Sequence, residues 1–158
     1  MQLRYNYRVH PDAGQRAALA RAFGCARVVF NDGLRARQSA RANGQRYPSD
    51  GDLAKRVITQ AKATPERAWL CEVSSVVLQQ ALADLTVAYR NFFASSTGNR
   101  TGRGLAPPRF RSRKDNRQAI RFTKNARFTV LGNGRCGCRR SVRWRSAGPG
   151  PCRPSRRR

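Results

Sequence analysis

The sequence predicts an α+β fold, in which one N-terminal β-strand is followed by four or five helices, a linker and further short strands. Residues 2–10 alternate between apolar and polar side chains, which is the two-residue period of a half-buried strand. Between residues 12 and 93 the apolar side chains instead recur every three or four residues, the period of amphipathic helices. The length of 158 residues allows one ordinary domain or two very small ones.

Local capping signals mark the start and end of the first predicted helices. Pro11 ends the N-terminal strand, and Asp12 with Gln15 has the capping-box pattern that opens a helix. Gly24 is expected to break or bend this helix, because glycine is a poor helix former. A second helix then follows, and Gly44 is its predicted end.

The longest apolar stripe belongs to a helix that begins near Ser74 or Ser75. Its members are separated by three or four residues: Leu78, Leu82, Leu85, Tyr89 and Phe92. Such a stripe is far more often protein core than cofactor site, so we predict that it is core. Upstream of it, Ser49 and Pro65 mark the starts of two further helices.

The composition of the chain changes after Phe93. Residues 94–108 are rich in Ser, Thr, Gly and Pro and are predicted to form a linker. Residues 118–123 and 126–131 have the pattern of two short strands, and the Gly-Asn-Gly sequence at 132–134 predicts a tight hairpin turn. The pattern therefore places helices before the linker and strands after it.

The charge of the chain is extreme and unevenly distributed. The chain carries 33 Lys and Arg against 8 Asp and Glu, a formal net charge of +25. Residues 1–95 account for +7 of this charge and residues 96–158 for +18. A field of this sign attracts phosphate backbones, so the composition excludes an ordinary metabolic enzyme and favours a nucleic-acid-binding protein.

The strongest functional signal is a basic segment at residues 109–127 that also contains aromatic side chains. Cations bind phosphates, and flat rings can stack on bases. The competing interpretation is a solvated basic segment without a defined ligand, and we favour nucleic-acid contact because of the high local charge. The candidate nucleic-acid-binding residues in this basic segment are Arg109, Phe110, Arg111, Arg113, Lys114, Arg117, Arg121, Lys124 and Arg127.

Signals for catalysis and for metal binding are weak. A metal-dependent nuclease needs several carboxylates around Mg²⁺, whereas the eight acidic residues are scattered along the chain and His10 is the only histidine. Asp84, on the helix of the apolar stripe, is expected to make a structural hydrogen bond. Cys136, Cys138 and Cys152 lack the fourth ligand of a zinc site. We therefore expect no enzymatic activity, no metal, no other cofactor and no small-molecule substrate.

Nothing in the sequence indicates a membrane or secretory protein. No stretch approaches 18 consecutive apolar residues, about the minimum for a membrane-spanning helix. The first eight residues have no apolar signal core, and the five cysteines, an odd number, do not form a disulfide framework. We therefore expect a cytoplasmic protein without a membrane partner.

Three motifs follow one another along the chain. The first holds Gln15-Arg16, Leu19, Phe23-Gly24-Cys25-Ala26-Arg27 and Val29-Phe30-Asn31. The second holds Leu78-Gln79, Leu82, Asp84-Leu85, Ala88-Tyr89 and Asn91-Phe92-Phe93. The third is Pro108-Arg109-Phe110-Arg111-Ser112-Arg113-Lys114. With the strand at 2–10, these motifs cover roughly residues 1–133 and resemble the N-terminal part of the OrfB/TnpB-type transposases of bacterial insertion sequences.

The resemblance implies an architecture and further site residues. The family comprises RNA-guided, transposon-associated nucleases similar to the type V CRISPR effectors. Its fold implies a partial β-barrel wedge domain at residues 1–10 and 105–133, with a helical, helix-turn-helix-like recognition domain inserted at residues 11–95. The first two motifs add Arg27, Asn31 and Gln79 to the candidate nucleic-acid-binding residues.

The same resemblance implies that this chain lacks the catalytic part of the family. The acidic nuclease domain, which uses Mg²⁺, and the structural zinc ribbon lie further along a chain more than twice as long. We therefore expect an N-terminal transposase fragment that binds transposon DNA or guide RNA and does not cut it. The alternative is a standalone basic RNA- or DNA-binding protein with no link to transposition.

Residues 134–158 are predicted to be a disordered basic tail. They include nine arginines and few apolar side chains, so folding would bury too little to offset the ordering entropy. GC-rich codons chosen for residues 136–145 and shifted by one nucleotide encode a strand-and-turn sequence of the kind that the family has there. We therefore hypothesise a frameshifted tail, and the alternative is a genuine basic extension.

Overall fold

The computed structural model describes residues 10–115 and 118–123 with their side chains, and the backbone of three short strands between residues 128 and 145. The chain divides into two compact units. The helical unit is Arg21–Phe122, and the terminal unit comprises Met1–Ala20 and Thr123–Arg158.

The first helix, α1, spans Ala13–Ala42, and its N-terminus is a reciprocal capping box. The backbone N–H of Gln15 donates to Oδ1 of Asp12 at 2.8 Å, and the backbone N–H of Asp12 donates to Oε1 of Gln15 at 3.0 Å. Two of the amide groups that a helix start leaves without partners are satisfied in this way. The predicted helix start is confirmed.

The C-terminus of α1 is also where the sequence predicts it. Gly44 adopts a φ of 63°, a left-handed conformation in which a residue without a Cβ is not strained. Its N–H donates to the carbonyl of Arg41 at 3.2 Å, and the N–H of Gln45 donates to the carbonyl of Ala40 at 2.8 Å. These two bonds are a Schellman motif.

The predicted break at Gly24 is wrong. Helix α1 continues through this residue, so one helix of 30 residues stands where the sequence predicts two. A glycine inside a helix costs only about 1 kcal/mol relative to alanine. The side chains that follow it, Cys25, Ala26, Val29 and Phe30, are all buried, and their packing outweighs that cost.

Three further helical segments and one long helix complete the helical unit. Helix α2 spans Asp50–Ala54 and continues into a π-helical segment at Lys55–Gln60. A 3₁₀ helix follows at Pro65–Glu72, and helix α3 spans Ser75–Ser96. Ser49 caps α2 as predicted, since its Oγ accepts the N–H of Asp52 at 3.2 Å.

The core lies where α1 and α3 meet and where the short helices cover them. One cluster contains Cys25, Val29, Leu53, Val57, Ile58, Leu70, Leu78 and Leu82. The other contains Ala26, Phe30, Leu34, Val77, Ala81 and Leu85. The predicted stripe on α3 is therefore core at its three leucines, whereas its aromatic members Tyr89 and Phe92 are half-buried.

The predicted α+β fold class is wrong. Residues 10–115 and 118–123 are helical or irregular and contain no strand, and the described residues form no β-barrel. The predicted strand at 118–123 is absent, because Ile120 and Phe122 pack against the second helical core cluster instead of a neighbouring strand. The predicted strand at 2–10 lies outside the described residues except for His10, which is not in a strand.

The strands that the structure describes form a small antiparallel sheet with the order β1-β2-β3. Strand β1, Phe128–Val130, lies within the predicted 126–131, and the predicted turn at 132–134 falls outside the described residues between β1 and β2. Strands β2, Arg135–Cys138, and β3, Ser141–Arg145, fall in the segment expected to be disordered. That expectation is wrong for these residues, because paired antiparallel strands satisfy each other's backbone N–H and C=O groups whatever side chains they carry.

No single helix in the described part of the chain is long and apolar enough to cross a membrane. Taken together, the 3₁₀ helix Pro65–Glu72 and α3 have the length and the apolar composition of a membrane-spanning helix, but a bend of 105° separates them.

Candidate nucleic-acid interface

The basic segment is fastened to α1 through its backbone. The side-chain amide of Asn31 donates from Nδ2 to the carbonyl of Arg111 at 3.0 Å. The N–H of Arg111 donates back to Oδ1 of Asn31 at 2.8 Å. This pair of bonds satisfies both backbone polar groups of Arg111, and it fixes the position of the chain in the middle of the Arg109–Lys114 run.

A single carboxylate on α3 holds two arginines of the basic segment. Oδ2 of Asp84 lies 3.7 Å from Nη2 of Arg111, and its Oδ1 accepts a hydrogen bond from Arg121. The neighbouring Leu85 is fully buried, so Asp84 is positioned by a rigid helix. The expected structural role of Asp84 is confirmed, although the sequence alone did not identify its partners.

The guanidinium of Arg111 is also stacked on the core. Its Cζ lies 3.8 Å from the centroid of the Phe30 ring, the geometry of a cation–π contact. Burial lowers the pKa of Arg111 below its usual range, and the negative charge of Asp115 acts in the opposite direction. Arginine titrates so far above neutral pH that the side chain keeps its charge. Arg111 therefore anchors the basic segment to the helical unit.

Three cations of the same segment remain exposed to solvent: Arg109, Arg113 and Lys114. None of them makes an ion pair within the described ranges. Phe110, between them in sequence, is 50% exposed, and the guanidinium of Arg35 lies 6.0 Å from its ring centroid. We call Arg109, Arg113 and Lys114 the exposed cations, since they are the charges that a phosphate backbone can reach.

The other predicted site residues divide into three groups. Arg27 lines a cavity of about 240 Å³ together with Arg111 and Asp84, and Asn31 contacts the basic segment as described. Gln79 is exposed on α3 and makes no hydrogen bond to the segment among the described residues. The remaining three, Arg117, Lys124 and Arg127, lie outside the described residues.

Sequence reasoning missed a buried arginine on α1. Arg37 is 4% exposed, and its Nη2 donates to Oδ1 of Asp50 at 2.6 Å and to Oγ1 of Thr86 at 3.1 Å. The guanidinium lies 5.5 Å from the ring centroid of Tyr47 and 5.2 Å from that of Tyr89. The spacing could have predicted its burial, because Arg37 follows the buried Leu34 by three residues and therefore lies on the same face of α1.

Most acidic residues of the helical unit already serve as partners of arginines. Asp32 pairs with Arg67 at 3.1 Å, and Glu72 with Arg21 at 3.9 Å. Asp50 and Asp84 are engaged as described above. Within the described residues no three His, Cys, Asp or Glu side chains are grouped so that they could hold a metal ion.

Comparison with known proteins specifies the class of protein to which this helical unit, with its anchored basic segment, belongs. Residues 1–46 match a family model of OrfB-type proteins described as a helix-turn-helix domain. The described part of that match, residues 10–46, contains α1 and its C-terminal cap.

Two curated relatives extend the match over most of the chain. A protein of Streptomyces pristinaespiralis named "Putative RNA-guided DNA endonuclease" is 40% identical over 122 residues, 77% of this chain and 28% of its own length. A protein of Escherichia coli strain K12 with the same name and the suffix InsQ is 31% identical over 124 residues, 78% of this chain and 28% of its own length. The chain belongs to the OrfB/TnpB family of transposases, and it spans about 28% of the length of these curated relatives.

Proposed function

We propose that this chain binds transposon DNA or guide RNA through the basic segment and does not cleave it. The observation that carries the proposal is the anchoring of the segment at Asn31 and Asp84, which leaves the exposed cations free of ion pairs among the described residues. The relatives are named as RNA-guided endonucleases, and their names supply the class of ligand.

Anchoring matters because a flexible polycation must lose conformational freedom when it binds. Here the side chain of Asn31 makes two hydrogen bonds to the backbone of Arg111, between the exposed cations in sequence, and the carboxylate of Asp84 pairs with the guanidinium of Arg111. The cations are therefore presented at nearly constant spacing along the segment. Such an arrangement supports a defined binding site over a purely electrostatic attraction.

The proposal of binding without cleavage rests on how the acidic residues are used. Most of those in the described residues cap helices or pair with arginines, as Asp50 does with Arg37 and Asp84 with Arg111. A two-metal or one-metal nuclease site needs carboxylates that converge on the ion. The RNA-guided cleavage named for the relatives is therefore not assigned to this chain.

The salt dependence of binding tests the proposal. If about six phosphates are neutralised, log K against log [salt] has a slope of roughly −5 on duplex DNA and roughly −4 on single strands. Replacing the exposed cations by alanine (Arg109→Ala, Arg113→Ala and Lys114→Ala) flattens the duplex slope by about two to three units. Fluorescence anisotropy with labelled DNA at several salt concentrations measures both values.

A matched control removes the same charge from elsewhere. Arg16, Lys55 and Arg56 are exposed bases outside the basic segment, and their joint replacement by alanine leaves the same net charge as the first variant. This control is expected to change the slope by less than one unit. Equal salt slopes for the two variants would contradict a defined binding site. The chain would then attract nucleic acid through its net positive charge alone.

A second candidate function follows from the charge of +18 on residues 96–158, which by itself attracts any nucleic acid. In that case the chain is a standalone basic binding protein with no role in transposition. Deletion of residues 134–158 then abolishes binding, whereas the triple alanine variant binds as the wild type does. Under the first proposal the triple variant weakens binding more than the deletion does.

A further inference from the structure

Four aromatic side chains form a cluster at the C-terminal half of α3, which we call the aromatic patch: Tyr47, Tyr89, Phe92 and Phe93. Tyr89 and Phe93 lie one helical turn apart and stack, with ring centroids 5.9 Å apart and planes inclined by 26°. Tyr47 approaches both rings edge-on, at 5.7 Å from Tyr89 and 6.4 Å from Phe93. These are favourable geometries for aromatic pairs.

The outer rings of the aromatic patch are exposed. Phe93 is 46% exposed and Tyr47 37%, although each could bury a large apolar area. Beneath them, the buried Arg37 lies under the rings of Tyr47 and Tyr89 and is held by Asp50. The ring of Tyr47 therefore packs on Arg37, and the ring of Phe93 packs on Tyr89. These contacts hold both rings in place although each ring is partly exposed to solvent.

Cations flank the aromatic patch. Arg41 lies in the last turn of α1, six residues before Tyr47 in the chain. Arg46 precedes Tyr47 in the chain, and Arg90 lies three residues before Phe93 on α3, the spacing of neighbours on one helix face. All three arginines are exposed. None of them makes an ion pair in the described part of the chain.

The charge around the patch selects its ligand. The carboxylate of Asp50, the ion-pair partner of Arg37, accepts hydrogen bonds from that arginine and from the hydroxyl of Thr86. What remains available is a pair of flat apolar faces bordered by guanidinium groups. Unpaired nucleobases fit this combination, because each base offers a face for stacking and each phosphate offers a charge to the neighbouring cation.

We propose that the aromatic patch is a stacking platform for unpaired bases of single-stranded nucleic acid, with Phe93 and Tyr47 as the stacking rings and Arg41, Arg46 and Arg90 as the phosphate contacts. This inference rests on the proposed function, since it assumes that the chain binds nucleic acid. It adds a second contact surface, outside the basic segment, and it assigns that surface to single strands.

The test compares single-stranded and duplex DNA on variants of the full chain. Phe93→Leu keeps an apolar side chain and removes the aromatic face. We expect it to weaken binding to a labelled 20-nucleotide oligo-dT on the order of five- to tenfold and to leave the affinity for a hairpin duplex unchanged. Val87→Ala is the matched control, because Val87 is also exposed on α3, at 44%, and is not aromatic.

Two further variants distinguish a loss of base stacking from a loss of folded structure. Phe93→Trp restores an aromatic face, and we expect it to bind oligo-dT as tightly as the wild type. Its added indole fluorescence falls when oligo-dT binds and not when duplex binds. Tyr47→Leu is expected to weaken oligo-dT binding in the same direction as Phe93→Leu, with an unchanged circular dichroism spectrum.

Several outcomes would overturn the inference. One is an affinity of Phe93→Leu for oligo-dT equal to that of the wild type, and another is an equal loss on oligo-dT and duplex. A third is a dimer of the wild-type chain in sedimentation that Phe93→Leu dissociates, which would make the patch a contact between copies. The proposed function fails separately, when the triple alanine variant of the exposed cations and its control behave alike.

Discussion

At the scale of single residues, two glycines of α1 have opposite roles. A Cβ placed on Gly33 would lie 2.8 Å from Cδ2 of Leu82 and 3.1 Å from Cδ2 of Leu85. Gly33 therefore permits the close approach of α1 and α3. A Cβ on Gly24 would meet nothing within 4 Å, so its only consequence is the entropy that glycine loses in a helix.

The two alanine substitutions are expected to change stability in opposite directions. Gly33→Ala overpacks the contact between the helices and lowers the free energy of unfolding by about 1–3 kcal/mol. Gly24→Ala raises it by about 0.5–1 kcal/mol, because alanine loses less conformational freedom on folding. Urea unfolding followed by circular dichroism measures both changes. A higher free energy of unfolding for Gly33→Ala would contradict the prediction, since it would mean that α1 and α3 make room for the added methyl group without losing stability.

At the scale of elements, the position of the basic segment on α1 depends on the two hydrogen bonds that Asn31 makes to it. Asn31→Ala removes both hydrogen bonds to the backbone of Arg111 without changing the net charge. We expect faster hydrogen exchange at the Arg111 amide, because that N–H then loses its acceptor. We also expect a several-fold weaker affinity for DNA with an unchanged salt slope, because preorganisation is lost and no cation is.

Gln38→Ala is the control for this prediction, since Gln38 is exposed on the same helix. It is expected to change neither the exchange rate nor the affinity. If Asn31→Ala lowered the salt slope as well, the anchoring would be coupled to the number of phosphates bound. That result would contradict the interpretation of Asn31 as a purely structural contact.

The helices also show which predictions depend on neighbouring residues and which depend on tertiary packing. The capping box at Asp12 and the Schellman end at Gly44 are predicted correctly because every atom involved lies within five residues in sequence. The break at Gly24 is predicted wrongly because the continuation of α1 depends on side chains that α3 and the short helices bury. Residues 118–123 alternate like a strand, yet their apolar side chains pack on helices.

At the scale of the whole molecule, we expect no cleavage of DNA or RNA in the presence of Mg²⁺ or Mn²⁺. The reason is that most acidic residues of the described part cap helices or pair with arginines, and no three of the described His, Cys, Asp or Glu side chains are grouped so that they could hold a metal ion. Incubation of the purified chain with labelled substrates and each metal measures this. Metal-dependent cleavage that a single acid-to-alanine substitution abolishes would contradict the prediction.

The candidate site was partly predictable at this scale. The charge of +25 and the motif order identified the class of ligand and the family. The separation of the arginines into anchors and exposed cations was not predictable, since Arg111 and Arg113 have the same side chain and neighbouring positions. Only the packing of Phe30 and the position of Asp84 distinguish the two.

The sequence by itself determined the two ends of α1, the cap of α2, the leucine core of α3, the excess of positive charge and the family, because these depend on residue types and short spacings. Tertiary structure alone decided which arginine is buried and pairs with Asp50, which arginines pair with Asp84, and which aromatic rings stay exposed. The contacts involved join residues far apart in the chain, such as Asn31 with Arg111, which are separated by 80 positions. No local propensity encodes such pairs, since they form only when packed helices bring the two side chains within hydrogen-bonding distance.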